Sequence, residues 1–246
     1  MQIWANLFLV GSGRSGVGLT HPLDCNVFLV DGGRKLALID AGVGLDTHLI
    51  EQQIAGHGRR LGSDSLLLLT HGHADHSGGT RFLRERYSLQ VAGSPEEAIA
   101  LRAADEEALG LNVARAAGYY PADYRLRSTP VDRELSDGEE IDLGDVSIRV
   151  TRTPGHSSGG LSFLCEIDGR RTLFVGDLLA FGGYISLQNI PGVDVLQYGR
   201  SVLKLEGLEI EMFMPGHGLF TVSGGQYHID KAAASFRKLG VPPNAI

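Results

Sequence analysis

Thr70 to Gly79 reads THGHADHSGG and follows the apolar run Leu66 to Leu69. Three histidines and an aspartate fall within six residues, and all four are metal-ligating types. His71 and His73, two apart, converge on one ion if the chain has just left a strand and is turning. Asp75 and His76 lie past that turn and point elsewhere, which calls for a second ion beside the first. Borderline metals such as zinc take imidazole and carboxylate in four-coordinate sites, and catalytic sites keep a position open for water. A helix would space such ligands at i and i+4 instead.

Three further ligand types stand downstream: His156 in TPGHSSGG, Asp177 in LFVGDLLA and His217 in MFMPGHGLF. Each ends an apolar or β-branched run at a glycine-flanked turn. With these in place the sequence resembles the metallo-β-lactamase superfamily over nearly its whole length, and the HxHxDH signature followed by His, Asp and His is specific to it. The resemblance implies that His71, His73 and His156 hold one metal, that Asp75, His76 and His217 hold a second, and that Asp177 bridges them. It implies two divalent ions, zinc first, with iron or manganese as alternatives. Two such ions ~3.5–4 Å apart can share and ionise a water. A metal-bridging hydroxide is then the nucleophile of a hydrolase, with Asp75 as a catalytic ligand that orients it or shuttles its proton.

The resembled family hosts many chemistries. Its glyoxalase II-like hydrolases and lactonases share the bridging aspartate, which its β-lactamases generally lack, so a small-molecule ester, thioester or lactone is the expected substrate. One alternative is a persulfide dioxygenase-like oxidoreductase using a single iron on His71, His156 and Asp177, although Asp75, His76 and His217 then have no role. β-Lactamase and phosphodiesterase activities are further alternatives within the superfamily. Asp40, in LIDAG, ends a strand; it is either a turn cap or, as the resemblance implies, a support behind the metal site.

The strand and helix pattern agrees with this family. Ile3 to Val10, Asn26 to Val30 and Lys35 to Asp40 read as strands, and a second set runs from Glu140 to Val175, with Asp168-Gly169 as a hairpin turn. Helical stretches intervene in both halves. An α/β (α+β) chain results: a four-layer αββα sandwich of two mixed β-sheets with helices on the outer faces, in one domain over 1–246. Ser94-Pro95-Glu96-Glu97 is a capping-box start for a helix running to about Ala117, with Gly110 as a kink or a break between two helices.

Substrate-contact candidates lie in loops. The glycine-rich connection 12–24, carrying His21, is either a flap over the site or a mobile surface loop. Tyr119, Tyr120 and Tyr124, in the stretch 118–130, either line a cleft or pack a helix end. Phe181 and Tyr184, just past Asp177, either contact substrate or pack. His228 is expected on the surface of a terminal helix.

At 246 residues, with 43% hydrophobic and 21% charged, the composition is that of an ordinary globular chain. A net charge of −7 argues against a phosphate-tracking surface, so no nucleic-acid partner is expected. The start MQIWANLFLVGSG lacks a basic n-region, and no apolar run reaches the ~18 residues of a membrane span. A cytoplasmic protein with a small-molecule substrate and no membrane partner is therefore expected; its oligomeric state is left open. Cys25 and Cys165 stand far apart outside any metal spacing and read as buried free thiols.

Overall fold

Strands buried on both faces carry the architecture of the computed structural model, which describes residues 1–245. One sheet consists, in order, of β1 (Gln2–Trp4), β2 (Leu7–Gly11), β3 (Val27–Asp31), β4 (Leu36–Ile39), β5 (Leu66–Leu68), β6 (Gln90–Gly93) and β7 (Arg133–Glu134). Its first four strands pair antiparallel and the rest parallel. The second sheet holds β8 (Glu140–Asp142), β9 (Ser147–Arg152), β10 (Leu161–Ile167), β11 (Arg170–Gly176) and β12 (Met212–Pro215), with β12 parallel to β11 and the others antiparallel. The helices are α1 (Thr47–Gly56), α2 (Ala74–Ser77), α3 (Thr80–Tyr87), α4 (Pro95–Ala103), α5 (Leu111–Ala116), α6 (Val195–Lys204) and α7 (Gln226–Arg237). Parallel neighbours need a crossover, and α1 to α5 lie in those crossovers.

Alternation along each strand sorts its side chains into layers. Leu7, Leu9, Leu66 and Leu68 meet Ile148, Val150, Phe163 and Met212 between the sheets. Phe8, Val10, Leu67 and Leu69 face outward onto Ile50 of α1, Leu83 of α3 and Leu101 of α4. Leu173, Val175 and Phe213 likewise pack on Tyr198 of α6 and Ile229 of α7. Two mixed sheets with helices outside give the four-layer αββα sandwich.

Several expectations need correction. The strand expected over Ile3 to Val10 is a hairpin, β1 and β2, folded at Ala5-Asn6, a turn with no glycine or proline to announce it. The expected division into two helices is present, but it falls earlier than Gly110: α4 ends at Ala103, where Ala104 turns to φ 52°, and Gly110 at φ 70° caps α5. His228 is buried: its Nδ1 accepts the Gly182 N–H, and its ring lies 4.3 Å from Phe181 and 5.1 Å from Phe213. The Asp168-Gly169 hairpin is present, with both residues at positive φ. No helix among the described residues is long and apolar enough to cross a membrane.

Cys25 and Cys165 are both buried and unpaired. Burial pushes each thiol up to about 12, which leaves no reactive thiolate at pH 8. Iodoacetamide at pH 8 is expected to leave the folded chain unmodified and to label both cysteines once urea unfolds it. An adduct on native protein by mass spectrometry would contradict this burial.

Candidate metal centre

Strand ends bring the candidate ligands to one edge of the sandwich. Asp40 follows β4, His71 and His73 follow β5, and Asp75 and His76 lie on α2; His156 follows β9, Asp177 follows β11 and His217 follows β12. For Asp40, His71, Asp177 and His217 an apolar strand anchors the backbone in the core and releases a polar side chain past its C-terminal end.

The ligand atoms converge in overlapping groups. His73 Nδ1 lies 3.0 Å from both His71 Nε2 and His156 Nε2. That is close to the ~3.3 Å edge of a tetrahedron of Zn–N bonds. Asp75 Oδ2 lies 3.0 Å and 3.9 Å from the Nε2 atoms of His217 and His76. Asp177 stands between the groups: Oδ2 is 3.6 Å from His156 Nε2 and 3.4 Å from His217 Nε2, and Oδ1 is 3.3 Å from His76 Nε2. The sets His71-His73-His156, His71-His76-Asp177 and Asp75-His76-His217 each place three donor atoms within reach of one ion.

The hydrogen bonds on the far side of the rings decide what faces inward. His156 Nδ1 lies 2.8 Å from the Ser186 carbonyl, which can only accept, so Nδ1 carries the proton and Nε2 presents a lone pair. His76 Nδ1 lies 2.8 Å from Asp40 Oδ2 and donates by the same logic. The Thr70 hydroxyl gives its proton to Asp40 Oδ2 at 2.8 Å and therefore accepts from His71 Nδ1 at 3.0 Å. The Nε2 lone pairs of His71 and His156 thus both face His73 Nδ1, which carries at most one proton, so a cation among them satisfies what one hydrogen cannot. Asp177 Oδ1, buried and without a hydrogen-bond partner, adds to that demand. A Cβ on Gly216 would stand 2.2 Å from this oxygen and 2.7 Å from the His76 ring, so the glycine keeps the space open. This donor set fits divalent transition-metal ions.

Protonation divides the histidines. Burial, with neighbouring imidazoles, holds His71 well below its ordinary value, and burial beside His156 takes His73 down to about 3. Burial also lowers His156, against the pull of Asp177. Burial opposes charge on His76 and His217 too, but attraction outweighs it: Cys25, Asp177, Asp40 and Asp75 raise His76 well above 6.5, and Asp177 and Asp75 raise His217. Since the Cys25 thiol itself stays neutral, the three carboxylates are the lasting anions. Burial favours a neutral Asp177, yet His217 and His76 hold its carboxyl well below the usual range. Three neutral imidazoles thus lie beside an anion-rich group that binds protons, and a divalent cation competes for the same places.

The substrate-contact candidates separate. A cavity of about 720 Å³ opens over His73, Asp75, Asp177 and His217, and Tyr119 and Tyr120 line it. Tyr120 donates to Asp75 Oδ1 at 2.9 Å, while Tyr124 stacks on Tyr120 and is itself buried, donating to the Val43 carbonyl. Burial and Asp75 raise Tyr120 well above 10, so it remains a donor. The 12–24 connection borders the cavity through Arg14, Ser15 and Pro22 to Asp24, and backbone bonds from Gly13 to Asp24 and Arg14 to Pro22 tie it down. His21 is not part of that lining; its Nδ1 accepts the Leu23 N–H. Phe181 and Tyr184 also fall outside it, Phe181 against His228 and Tyr184 beneath Lys231. The segment after Asp177 enters the cavity farther on, at Ser186 to Ile190. Sequence reasoning missed Ser186, which acts through its backbone, and Asn26, whose amide donates to the Pro215 and Gly218 carbonyls around His217.

Asp40 accepts from the Thr70 N–H, the Thr70 hydroxyl and His76. Asp40→Ala is expected to weaken divalent-metal binding by about 10–100-fold, because the His76 and His71 rings lose their oriented partners. Chelator competition measures this, and unchanged affinity in folded protein would remove Asp40 from the support.

Residues 21–217 match the profile of the metallo-beta-lactamase superfamily. An acyl-coenzyme A thioesterase, MBLAC2 of Gallus gallus, is 29% identical over 88% of this chain and 79% of its own. The hydroxyacylglutathione hydrolase of Anaeromyxobacter dehalogenans is 31% identical over 79% of this chain and 61% of its own. An atrochrysone carboxyl ACP thioesterase of Aspergillus fumigatus is 27% identical over 78% of this chain. The chain spans about half the length of such fungal relatives, 50% in that case. Among solved structures, the HARLDQ-motif metallo-β-lactamase of Cronobacter sakazakii superposes with a TM-score of 0.73 at 22% identity, covering 97% of this chain and 96% of that one. Native FEZ-1 metallo-β-lactamase from Legionella gormanii gives 0.72 at 20%, covering 97% and 94%. Likeness at those identities is likeness of fold, while the profile spans most of the sequence and includes every candidate ligand: the chain belongs to the metallo-β-lactamase superfamily.

Proposed function

We propose that the protein is a metal-dependent hydrolase of small acyl thioesters and related esters whose acyl group is apolar. The observation that carries this reading is one cavity with two unlike parts. Its floor is the ligand cluster, and its walls include the apolar side chains of Val113, Ala117, Tyr119, Leu187 and Ile190. Arg14 is the one Lys or Arg side chain in that lining. Its volume lies within the ~300–1,000 Å³ of small-molecule sites. The three relatives named above as thioesterases or as a hydroxyacylglutathione hydrolase support thioesters ahead of lactones.

In this reading His71, His73 and His156 would hold one divalent ion and Asp75, His76 and His217 a second, with Asp177 reaching both. Ions bound there supply Lewis acidity and a water that ionises near neutral pH. Hydrolysis adds the water oxygen to the acyl carbon and breaks the C–S or C–O bond, and the leaving group departs with a proton. Burial favours a neutral Asp75, but His76 and His217 hold its carboxyl well below the usual range, so it serves as a fixed acceptor that orients water. The Tyr120 hydroxyl, always protonated, commits its one proton to Asp75 Oδ1 and so holds that carboxylate in place. The apolar walls shed water as the acyl group enters and hold its carbonyl over the floor.

Zinc-loaded protein is expected to hydrolyse an acyl thioester under anaerobic conditions, and iron-loaded protein to consume no oxygen when offered glutathione persulfide. Zinc has no redox chemistry, so the pair of assays separates hydrolysis from oxygenation. Strictly iron-dependent oxygen uptake, with no hydrolysis of thioesters, esters or lactones, would overturn the proposal.

Val113 stands 42% exposed on α5, where it borders the cavity. Val113→Asp is expected to raise KM for a long-chain acyl thioester by about tenfold or more, since an apolar contact is replaced by a charge, while the acetyl thioester changes little. Equal effects on both substrates would show that the acyl arm lies elsewhere.

A further inference from the structure

Ser94 and Glu97 have the spacing of a capping box, in which the glutamate turns back to the helix N-terminus. Only half of the box forms. Ser94 Oγ accepts the Glu97 N–H at 3.4 Å, but the Glu97 carboxylate points away from α4. Its Oε2 accepts the Gly72 N–H at 2.7 Å and its Oε1 accepts the Gly159 N–H at 3.1 Å.

These two amides belong to different sheets. Gly72 lies between His71 and His73 after β5, and Gly159 lies three residues past His156, ahead of β10. One carboxylate therefore spans the two loops that supply all three imidazoles of the neutral group. The Gly72 carbonyl is held as well, by the Ser77 hydroxyl at 3.0 Å, so the peptide units on both sides of Gly72 are anchored. The glycines are needed for the approach. A Cβ on Gly72 would stand 3.2 Å from Glu97 Oε2, and one on Gly159 would stand 2.8 Å from Glu97 Cδ.

Glu97 is 5% exposed, and no Lys, Arg or His side chain pairs with it among the described residues. A buried carboxylate without a cation is a costly way to cap a helix, and exposed Glu or Gln residues do that work elsewhere. Its worth must lie in what it holds. A carboxylate can accept from two N–H groups at once, whereas a glutamine of the same shape would turn an NH₂ toward one of them.

We propose that Glu97 is a positioning residue that sets the separation between the His71-His73 loop and the His156 loop, and so the metal affinity of that three-histidine group. The inference rests on the metal-centre reading above. Glu97 touches neither ion nor substrate; it acts through the two backbone amides.

Stepwise Co(II) titration of metal-free full-length protein tests this by absorption spectra and chelator competition, with His217→Ala used to assign the step that belongs to the three-histidine group. Glu97→Gln is expected to weaken that step by about 10–100-fold and to shift its Co(II) spectrum, with the other step changing much less. Glu97→Asp keeps the charge but retracts it by one methylene, and is expected to weaken the same step; it serves if the glutamine variant does not fold. Ser94→Ala removes the half of the box that does form, and should lower thermal stability while both Co(II) affinities stay unchanged. A folded Glu97 variant with both affinities intact, or with both lowered equally alongside a Ser94→Ala that does the same, would overturn the positioning role and leave Glu97 a helix cap. Absence of Co(II) binding by the wild-type chain would overturn the metal-centre reading itself, and this inference with it.

Discussion

The half of the site built on His71 and His76 depends on the carboxylate of Asp40. The residue sits at φ 64°, a conformation that L-residues rarely adopt and that Asp tolerates better than most. From there it collects the Thr70 N–H, the Thr70 hydroxyl and His76 Nδ1, joining the ends of β4 and β5 to α2. Thr70, its proton committed to Asp40, must accept from His71. One buried anion thereby fixes the orientation of two rings and turns their Nε2 atoms inward. Strained backbone and a buried charge both cost stability, and both persist because the surrounding sheets leave no alternative.

Docking of α2 onto the Asp40 turn explains the glycines that end the THGHADHSGG stretch. The Ala41 N–H donates to the His76 carbonyl, and the Gly79 N–H donates to the Gly42 carbonyl. A Cβ on Gly79 would stand 2.2 Å from the Ala41 carbonyl oxygen, so the two backbones meet where no side chain fits. Ligands and glycines in that stretch answer to one requirement, because a helix carrying Asp75 and His76 must lie flat against the turn carrying Asp40. The other side of the site is held differently. His156 leans on a backbone carbonyl at Ser186, and His217 lies in a turn tied to Asn26.

The layers and the ligand cluster were legible in the sequence because each rests on a local signal. Apolar runs ending in Asp or His at a glycine mark strand ends, and strands buried on both faces leave nearly continuous hydrophobic sequence. What was not legible depends on the partner across space. At Ala5-Asn6 the asparagine is the one turn former, and without a glycine or proline beside it the hairpin does not stand out from the apolar run. The carboxylate of Glu97 fits a helix cap in sequence and reaches two glycine amides in the fold. His228, on a helix of mixed polarity, is buried because Phe181 and Phe213 close over it. The same enclosure takes Phe181 out of the cavity, so proximity in sequence to a ligand did not translate into proximity to substrate.

Under the thioesterase reading proposed above, the cavity walls make the acyl chain, rather than a charged headgroup, the source of selectivity. Asp75, Asp177 and His217 already concentrate charge on the floor, and a second charged surface facing it would add desolvation cost without adding orientation. Apolar walls do the opposite. They exclude water from the floor, which strengthens each hydrogen bond made there, Tyr120 to Asp75 included. Arg14, on the tied-down 12–24 connection, is the one place in the lining where a leaving group could find a guanidinium. A substrate oriented by these features would run from an apolar tail beside α5, through an acyl carbon over Asp75 and Asp177, to a polar end near Arg14. In that proposal the ligand cluster would determine the bond that can be broken, and the walls would determine which acyl group is held over it.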